Sequence, residues 1–183
     1  MSTVYYLIGW PGSGKRTVGL ALAALTGARL LDNHLINDPI FQAVGATGVG
    51  PLPEGTWPLV GRVEAAVLEA VMLAPPELSF IFTNVLVQRP GELDTFESRR
   101  RLADARNARF VPVWLLCSEP ELRRRIPLDD RRARLKMRDE AGLTRMLEQY
   151  GALLSPPPDA LMLHTDHWSP EETARQIVAH TCS

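Results

Sequence analysis

The chain has 183 residues, 45% of them apolar and 22% charged, with a formal net charge of −1. That length forms one domain with a sizeable core, and that composition excludes a disordered or fibrous protein. The near-neutral balance excludes a bulk electrostatic pull toward nucleic acid or membranes, and no apolar run is long enough to span a bilayer. In chain order, apolar runs with the character of buried strands alternate with helical patterns. Residues 3–8 read as the first strand, followed by a glycine-rich loop and a helix to about residue 26 that Gly27 ends. Residues 28–32 read as strand two, followed by a short helix over 35–44 and a Gly/Pro-rich loop over 45–55. Leu59, Val63, Val67 and Ala70/Val71 recur at helical spacing and predict a helix over 57–73, stopped by Pro75-Pro76. Strand three is 80–85, and Asp94 with Glu97 predicts a capping box at the start of the next helix. Strand four, 110–117, leads to a second such box, Ser118 with Glu121, and to an arginine-rich segment. A helix over 139–150, a fifth strand over 160–163 and a last helix capped by Ser169-Pro170 complete the chain. This alternation predicts a three-layer α/β fold whose parallel sheet is covered on both faces, in a single domain over 1–183. Ligands of such folds bind at the carboxyl ends of the strands.

The loop after strand one is the most informative stretch: Gly9-Trp10-Pro11-Gly12-Ser13-Gly14-Lys15-Arg16-Thr17. Strand, glycine-rich loop and helix are the context that a phosphate-binding loop requires. The glycines let backbone N–H groups curl around an anion, and the helix start adds the positive end of its dipole. Lys15 would reach the β- and γ-phosphates. Only two of the chain's 20 basic residues are lysines, Lys15 and Lys136, so lysine is kept where a compact ammonium is needed. A Ser or Thr usually follows this lysine and meets Mg2+; here Arg16 stands there and Thr17 comes one residue later. The loop is thus similar to the adenylate-kinase version, which implies a Mg2+ held mainly through phosphates and water, with no protein ligand assigned. The candidate nucleotide-binding set is Gly9, Pro11, Gly12, Ser13, Gly14, Lys15, Arg16 and Thr17.

Asp32-Asn33-His34 ends strand two, at the same edge of the sheet as the phosphate loop. With these residues the chain resembles, over nearly its whole length, the small P-loop kinases of the nucleoside-monophosphate, shikimate and gluconate kinase type. The resemblance implies a five-stranded parallel sheet, an acceptor site in the insertion over about 33–73, and a basic lid after strand four. It implies that Asp32 orients and helps deprotonate an acceptor hydroxyl; capping of the following helix is the other reading. His34 is a candidate acceptor contact or a helix-start residue. Thr83-Asn84 stands where many P-loop proteins end strand three in an aspartate, so Asn84 is an acceptor candidate or a turn residue. Arg89 lies where monophosphate kinases present an arginine to the acceptor phosphate, although Val87-Gln88-Arg89-Pro90 does not match their motif.

Residues 123–138 carry eight cations against Asp129 and Asp130, a net charge of +6, and resemble the lid. The resemblance makes Arg125 the candidate for stacking on the base, and Arg131 and Arg134 the candidates for clamping the transferring phosphoryl group; a solvated arginine face is the alternative. Trp168 would flank the purine or pack on the last helix. Cys117 and Cys182, in no metal-ligand spacing, predict a reduced cytoplasmic protein with no nucleophilic cysteine.

The expected function is ATP-dependent phosphotransfer to a small-molecule acceptor, a metabolite or an antibiotic hydroxyl, with ATP and Mg2+ as cofactors. Lys15 and Asp32 would act with Arg131 and Arg134 in catalysis. Two other functions stay open: a nucleotide or nucleoside kinase, and an ATP-binding sensor or switch without efficient catalysis. A monomer or homodimer is expected, with no membrane or nucleic-acid partner.

Overall fold

A computed structural model describes residues 1–126 and 140–182. Five parallel strands, β1 (Thr3–Ile8), β2 (Arg29–Leu31), β3 (Phe80–Asn84), β4 (Arg109–Leu116) and β5 (Leu161–His164), form one sheet in the order β2-β3-β1-β4-β5. The helices are α1 (Lys15–Thr26), α2 (Asn33–Ala43), α3 (Thr56–Leu73), α4 (Glu92–Ala105), α5 (Glu119–Arg125), α6 (Glu140–Tyr150) and α7 (Pro170–Cys182). None of the described helices is long and apolar enough to cross a membrane.

The continuous apolar run of β1 explains its central place. Side chains alternate across a strand, so a strand buried on both faces needs no polar positions. Tyr5 and Leu7 join Val18 and Leu22 of α1, Ile81 and Val113 of the sheet, and Ile177 of α7. Val4, Tyr6 and Ile8 point the other way, among Val71 of α3, Phe96 of α4, Phe82 and Trp114. Each side chain buried this fully contributes about 1.5–3 kcal/mol of transfer free energy. The register sets Ile8 beside both Asn84 and Trp114, and Leu116 beside His164, so the strands end along one edge. The phosphate loop, Asp32, Asn84, Ser118 and Thr165 all follow from that edge.

Several helix ends depart from the sequence reading, and before α2 and α5 the expected polar cap has a tertiary partner instead. α2 starts at Asn33 rather than at residue 35, and carries Pro39 within it. α4 begins at Glu92 behind Gly91, not at an Asp94 cap; Glu92 and Asp94 both fall in its first turn, where an acid favours the dipole. Ser118 does precede α5, but its hydroxyl donates to Asp166 Oδ1 at 2.6 Å, leaving Glu121 to arginines. The last helix is capped as predicted: the Glu172 N–H donates to Ser169 Oγ at 3.1 Å, with Pro170 opening the helix. In α3 the predicted stripe is covered at Val63, Val67 and Val71, but at the start of the helix Val60 is buried and Leu59 is exposed. The cause is that α3 packs on α2 and α4 as well as the sheet, and one of its sides is left facing a cleft. Arg106, not singled out from sequence, is buried and donates to the carbonyls of Ala74, Pro75 and Leu78 at the carboxyl end of α3.

Candidate active site

A cleft of about 1870 Å³ opens above the carboxyl edge of the sheet. The phosphate loop and α1 form its floor, α2, the 44–53 segment and α3 one wall, and α5, α6 and the loop after β5 the other.

The loop geometry follows from its glycines. Gly14 closes the loop with φ +87°, a conformation L side chains rarely adopt, and hands the chain to α1 through the Val18 N–H···O=C Gly14 bond at 2.9 Å. Gly9 is needed for a different reason: a Cβ there would lie 2.4 Å from Ser13 Oγ and 2.7 Å from the Leu115 carbonyl. Pro11, Gly12, Gly14, Lys15, Arg16 and Thr17 line the cleft, whereas Gly9 and Ser13 are buried beneath it. The Lys15 ammonium donates to the Gly9 and Trp10 carbonyls at 2.7 and 2.9 Å, folded across the loop that would hold phosphates. Thr17 Oγ1 donates to the Gly14 carbonyl at 2.9 Å.

Asp32, the candidate acceptor residue, is the centre of a polar cluster beside the phosphate loop. It precedes α2, yet its carboxylate makes no cap bond; its backbone carbonyl takes the Leu35 N–H at 2.7 Å. The carboxylate, almost fully buried, accepts from Thr83 Oγ1 at 2.7 Å and from Arg16 Nη1 at 3.2 Å. Thr83 Oγ1 in turn receives the Asn33 N–H at 3.1 Å. Arg16, expected on the nucleotide, therefore bridges the phosphate loop and the carboxylate after β2. Two charge-assisted contacts hold the carboxyl plane in one orientation.

The remaining acceptor candidates are drawn to neighbours of their own. His34 Nδ1 lies 2.9 Å from Asp38 Oδ1, one helical turn away. Asn84 donates through Nδ2 to the Tyr6 hydroxyl at 3.3 Å and accepts the Val85 N–H at 2.8 Å. Arg89 Nε donates to Glu92 Oε1 at 2.5 Å and its guanidinium sits 5.8 Å from the Tyr150 ring centroid. All three line the cleft. Burial pushes the Tyr6 phenol up to about 12, so it stays neutral as a hydrogen-bonding group.

On the opposite wall Arg125 is locked in place. Its Nε donates to Glu121 at 2.6 Å and its Nη2 to the Thr165 carbonyl at 2.8 Å. Thr165 Oγ1 donates to the Ser13 carbonyl at 3.1 Å, tying the loop after β5 to the phosphate loop. Asp166 accepts from the Ser118 hydroxyl and N–H, and those bonds hold its carboxyl below the usual range. Burial raises the Cys117 thiol, which keeps it protonated and a poor nucleophile. Arg131 and Arg134, with most of the lid-like segment, lie outside the described residues.

Sequence reasoning passed over Thr165 and the Glu64–Arg99 ion pair that joins α3 to α4 within the cleft, and read Glu121 as a capping residue where it braces Arg125. Thr165 was within reach, because it lies two residues past the predicted strand over 160–163, at the ligand-binding edge. The Glu64–Arg99 pair carried no local signal. Among the described residues no three His, Cys, Asp or Glu side chains converge as a metal site. A donor set of Asp32 and hydroxyls fits a Mg2+ carried in by phosphates and water.

No protein-family model matches the chain. It is 30% identical over 179 residues to a shikimate kinase of Salinispora arenicola (strain CNS-205), an alignment covering 98% of each chain. A gluconokinase from Sinorhizobium meliloti 1021 superposes with a TM-score of 0.62 at 20% identity, over 99% of this chain and 91% of that one. A shikimate kinase from Acinetobacter baumannii, solved with shikimate, gives a TM-score of 0.55 at 19% identity, over 100% and 94%. These structures share the fold, and the curated relative shares the family over its full length. A phosphate loop on a five-stranded parallel sheet, in a chain that aligns over 98% of its length with a shikimate kinase, places this protein in the shikimate kinase family of P-loop kinases, as a small-molecule kinase.

Proposed function

We propose that the protein transfers the γ-phosphoryl group of ATP to a hydroxyl of a small molecule seated between Asp32 and the α2–α3 wall. The observation that carries this reading is the Arg16–Asp32–Thr83 arrangement. It sets an oriented carboxylate beside the phosphate loop, where an acceptor hydroxyl must lie for in-line attack. The bond between the γ-phosphorus and the bridging oxygen breaks, a bond from the γ-phosphorus to the acceptor oxygen forms, and ADP leaves. The hydroxyl proton passes to Asp32. Mg2+, when bound with the nucleotide, supplies charge neutralisation on the β- and γ-phosphates.

In this reading Lys15 exchanges its two loop carbonyls for phosphate oxygens, so the loop is kept ordered before ATP arrives. Gly12, Gly14 and Thr17 surround the phosphates, and Arg125 presents the flat face of a braced guanidinium to the base. Arg131 and Arg134 are proposed as the closing cations. Lys15→Ala tests the donor site: ATP affinity measured by titration calorimetry should fall by at least about tenfold, and phosphotransfer should be nearly abolished. Unchanged affinity with full activity would remove the phosphate-loop assignment.

A further inference from the structure

We infer that Thr165 is a positioning residue for the phosphate loop: its hydroxyl fixes the Ser13–Gly14 peptide so that the Gly14 N–H is aimed at an incoming phosphate. This deepens the kinase reading above and rests on it. Thr165 directly follows β5, is 3% exposed and lines the cleft, as Gly14 does. Its Oγ1 donates to the Ser13 carbonyl at 3.1 Å, and the Leu116 carbonyl at 3.2 Å shares the same proton. A guanidinium carries no acceptor, so Arg125 Nη1, 3.5 Å from that oxygen, leaves the proton to the two carbonyls. The Leu116 carbonyl also takes the Thr165 N–H at 2.8 Å, which ties Thr165 to β4 and holds its hydroxyl against Ser13.

In a trans peptide the C=O and the N–H point in opposite directions. A Ser13 carbonyl turned toward Thr165 therefore turns the Gly14 N–H the other way, toward the hollow of the phosphate loop. Local structure does not enforce that orientation. Gly14 has φ +87°, but glycine accepts both signs of φ, so residue 14 leaves the peptide able to turn over. The Ser13 N–H donates to the Trp10 carbonyl at 3.1 Å, but it belongs to the preceding peptide. The Ser13 hydroxyl is buried without a hydrogen-bond partner among the described residues, so it anchors nothing. The next peptide is different: the Gly14 carbonyl takes the Val18 N–H at 2.9 Å, and α1 itself holds the Lys15 N–H in place. Thr165, 152 residues from Ser13 in sequence, does for Gly14 what the helix does for Lys15. The same residue reaches the base side, since its carbonyl takes Arg125 Nη2 at 2.8 Å.

The test follows backbone amides by NMR in the isotope-labelled full chain as Mg2+ and tripolyphosphate, a ligand with phosphates and no base, are added. In the parent, the Gly14 and Lys15 amide protons should both shift on binding. Thr165→Val keeps the shape and removes the hydroxyl. It should weaken tripolyphosphate at least about tenfold, the size of one hydrogen bond to a charged group. At saturation it should keep the Lys15 response and lose that of Gly14. Thr165→Ser, which retains the hydroxyl, should recover both the affinity and the Gly14 response. Should Thr165→Val not fold, Thr165→Ala carries the same expectations, and the parent and Thr165→Ser measurements stand without either. The inference is overturned by a parent in which Lys15 responds and Gly14 stays silent, or by a Thr165→Val variant that binds and responds as the parent does. A Thr165→Ser variant that fails to recover the Gly14 response overturns it as well. Failure of the kinase reading looks different: neither amide would respond in the parent, and Lys15→Ala would bind tripolyphosphate as well as the parent.

Discussion

At the scale of single residues the proposed chemistry rests on Asp32 and Arg16, and they answer to different substitutions. Asp32→Asn keeps the shape and both neighbours but removes the proton acceptor and the charge. We expect kcat to fall by about 10²–10⁴, the range for a positioned general base, with ATP affinity within a few-fold of the parent. Collapse of ATP affinity instead would assign Asp32 to the nucleotide side. Arg16→Ala removes the guanidinium 3.2 Å from Asp32 and leaves a buried carboxylate without that cation, with Thr83 Oγ1 still donating at 2.7 Å. Arg16 is partly exposed, so water softens the loss, and about 1–2 kcal/mol of stability is expected rather than the larger cost of a fully buried pair. The variant should lower kcat more than it weakens ATP. Arg16→Lys, a point charge without the planar fork, should recover the stability better than the rate. An Arg16→Ala variant whose only defect is in ATP binding would return Arg16 to the phosphates.

At the scale of elements, α5 is where charge is most tightly organised. Glu121 accepts from Arg124 and Arg125, and those bonds, chiefly that from Arg124, hold its carboxyl down to about 2 against an ordinary value of 4.5. A depressed carboxyl stabilises the folded state above its unfolded value and loses that contribution as pH falls toward its folded value. The Glu121 clamp should therefore be complete at neutral pH, begin to lose its stabilising effect below about pH 4.5, and be gone near pH 2. Carboxyl-carbon NMR should place the Glu121 midpoint near 2, and a midpoint in the normal range would mean the clamp does not persist in solution. Glu121→Gln should weaken nucleotide binding several-fold, since the single amide oxygen it retains carries no charge to share between Arg124 and Arg125, and Arg125 is then braced chiefly by the Thr165 carbonyl at 2.8 Å.

For the whole molecule, nucleotide binding and folding are linked. A ligand at 100 times its Kd adds about 2.7 kcal/mol to stability, and a chain of this size shifts Tm by about 2–4 °C per kcal/mol. Saturating Mg-ATP should raise Tm by roughly 5–10 °C, and Lys15→Ala at the same nucleotide concentration should lose most of that shift. Equal shifts in both proteins would mean that stabilisation comes from nucleotide bound away from the phosphate loop.

What the sequence determined by itself is what depends on neighbours along the chain. Val4-Tyr5-Tyr6-Leu7-Ile8, buried on both faces, reads as a central strand because alternation places side chains on opposite sides. The loop from Gly9 to Lys15 reads as a phosphate cradle because its glycines, its lysine and the following helix lie within one short segment. Gly27 and Ser169-Pro170 mark helix ends for the same reason. The tertiary structure decided which polar group meets which. Arg16 and Asp32 become neighbours when α1 packs beside β2, Glu64 and Arg99 meet across two helices, and Thr165 reaches Ser13 across 152 residues when β5 joins the sheet. Ser118 illustrates the competition: a hydroxyl suited to capping its own helix goes instead to Asp166, 48 residues away. In α3 only the first position of the predicted apolar stripe departs, with Val60 covered in place of Leu59, where the helix begins beside the cleft. Periodicity and turn chemistry are local and can be read from the chain. Hydrogen bonds and ion pairs are won by whichever partner the strand order β2-β3-β1-β4-β5 brings closest, and that order is set by the packing of the whole core.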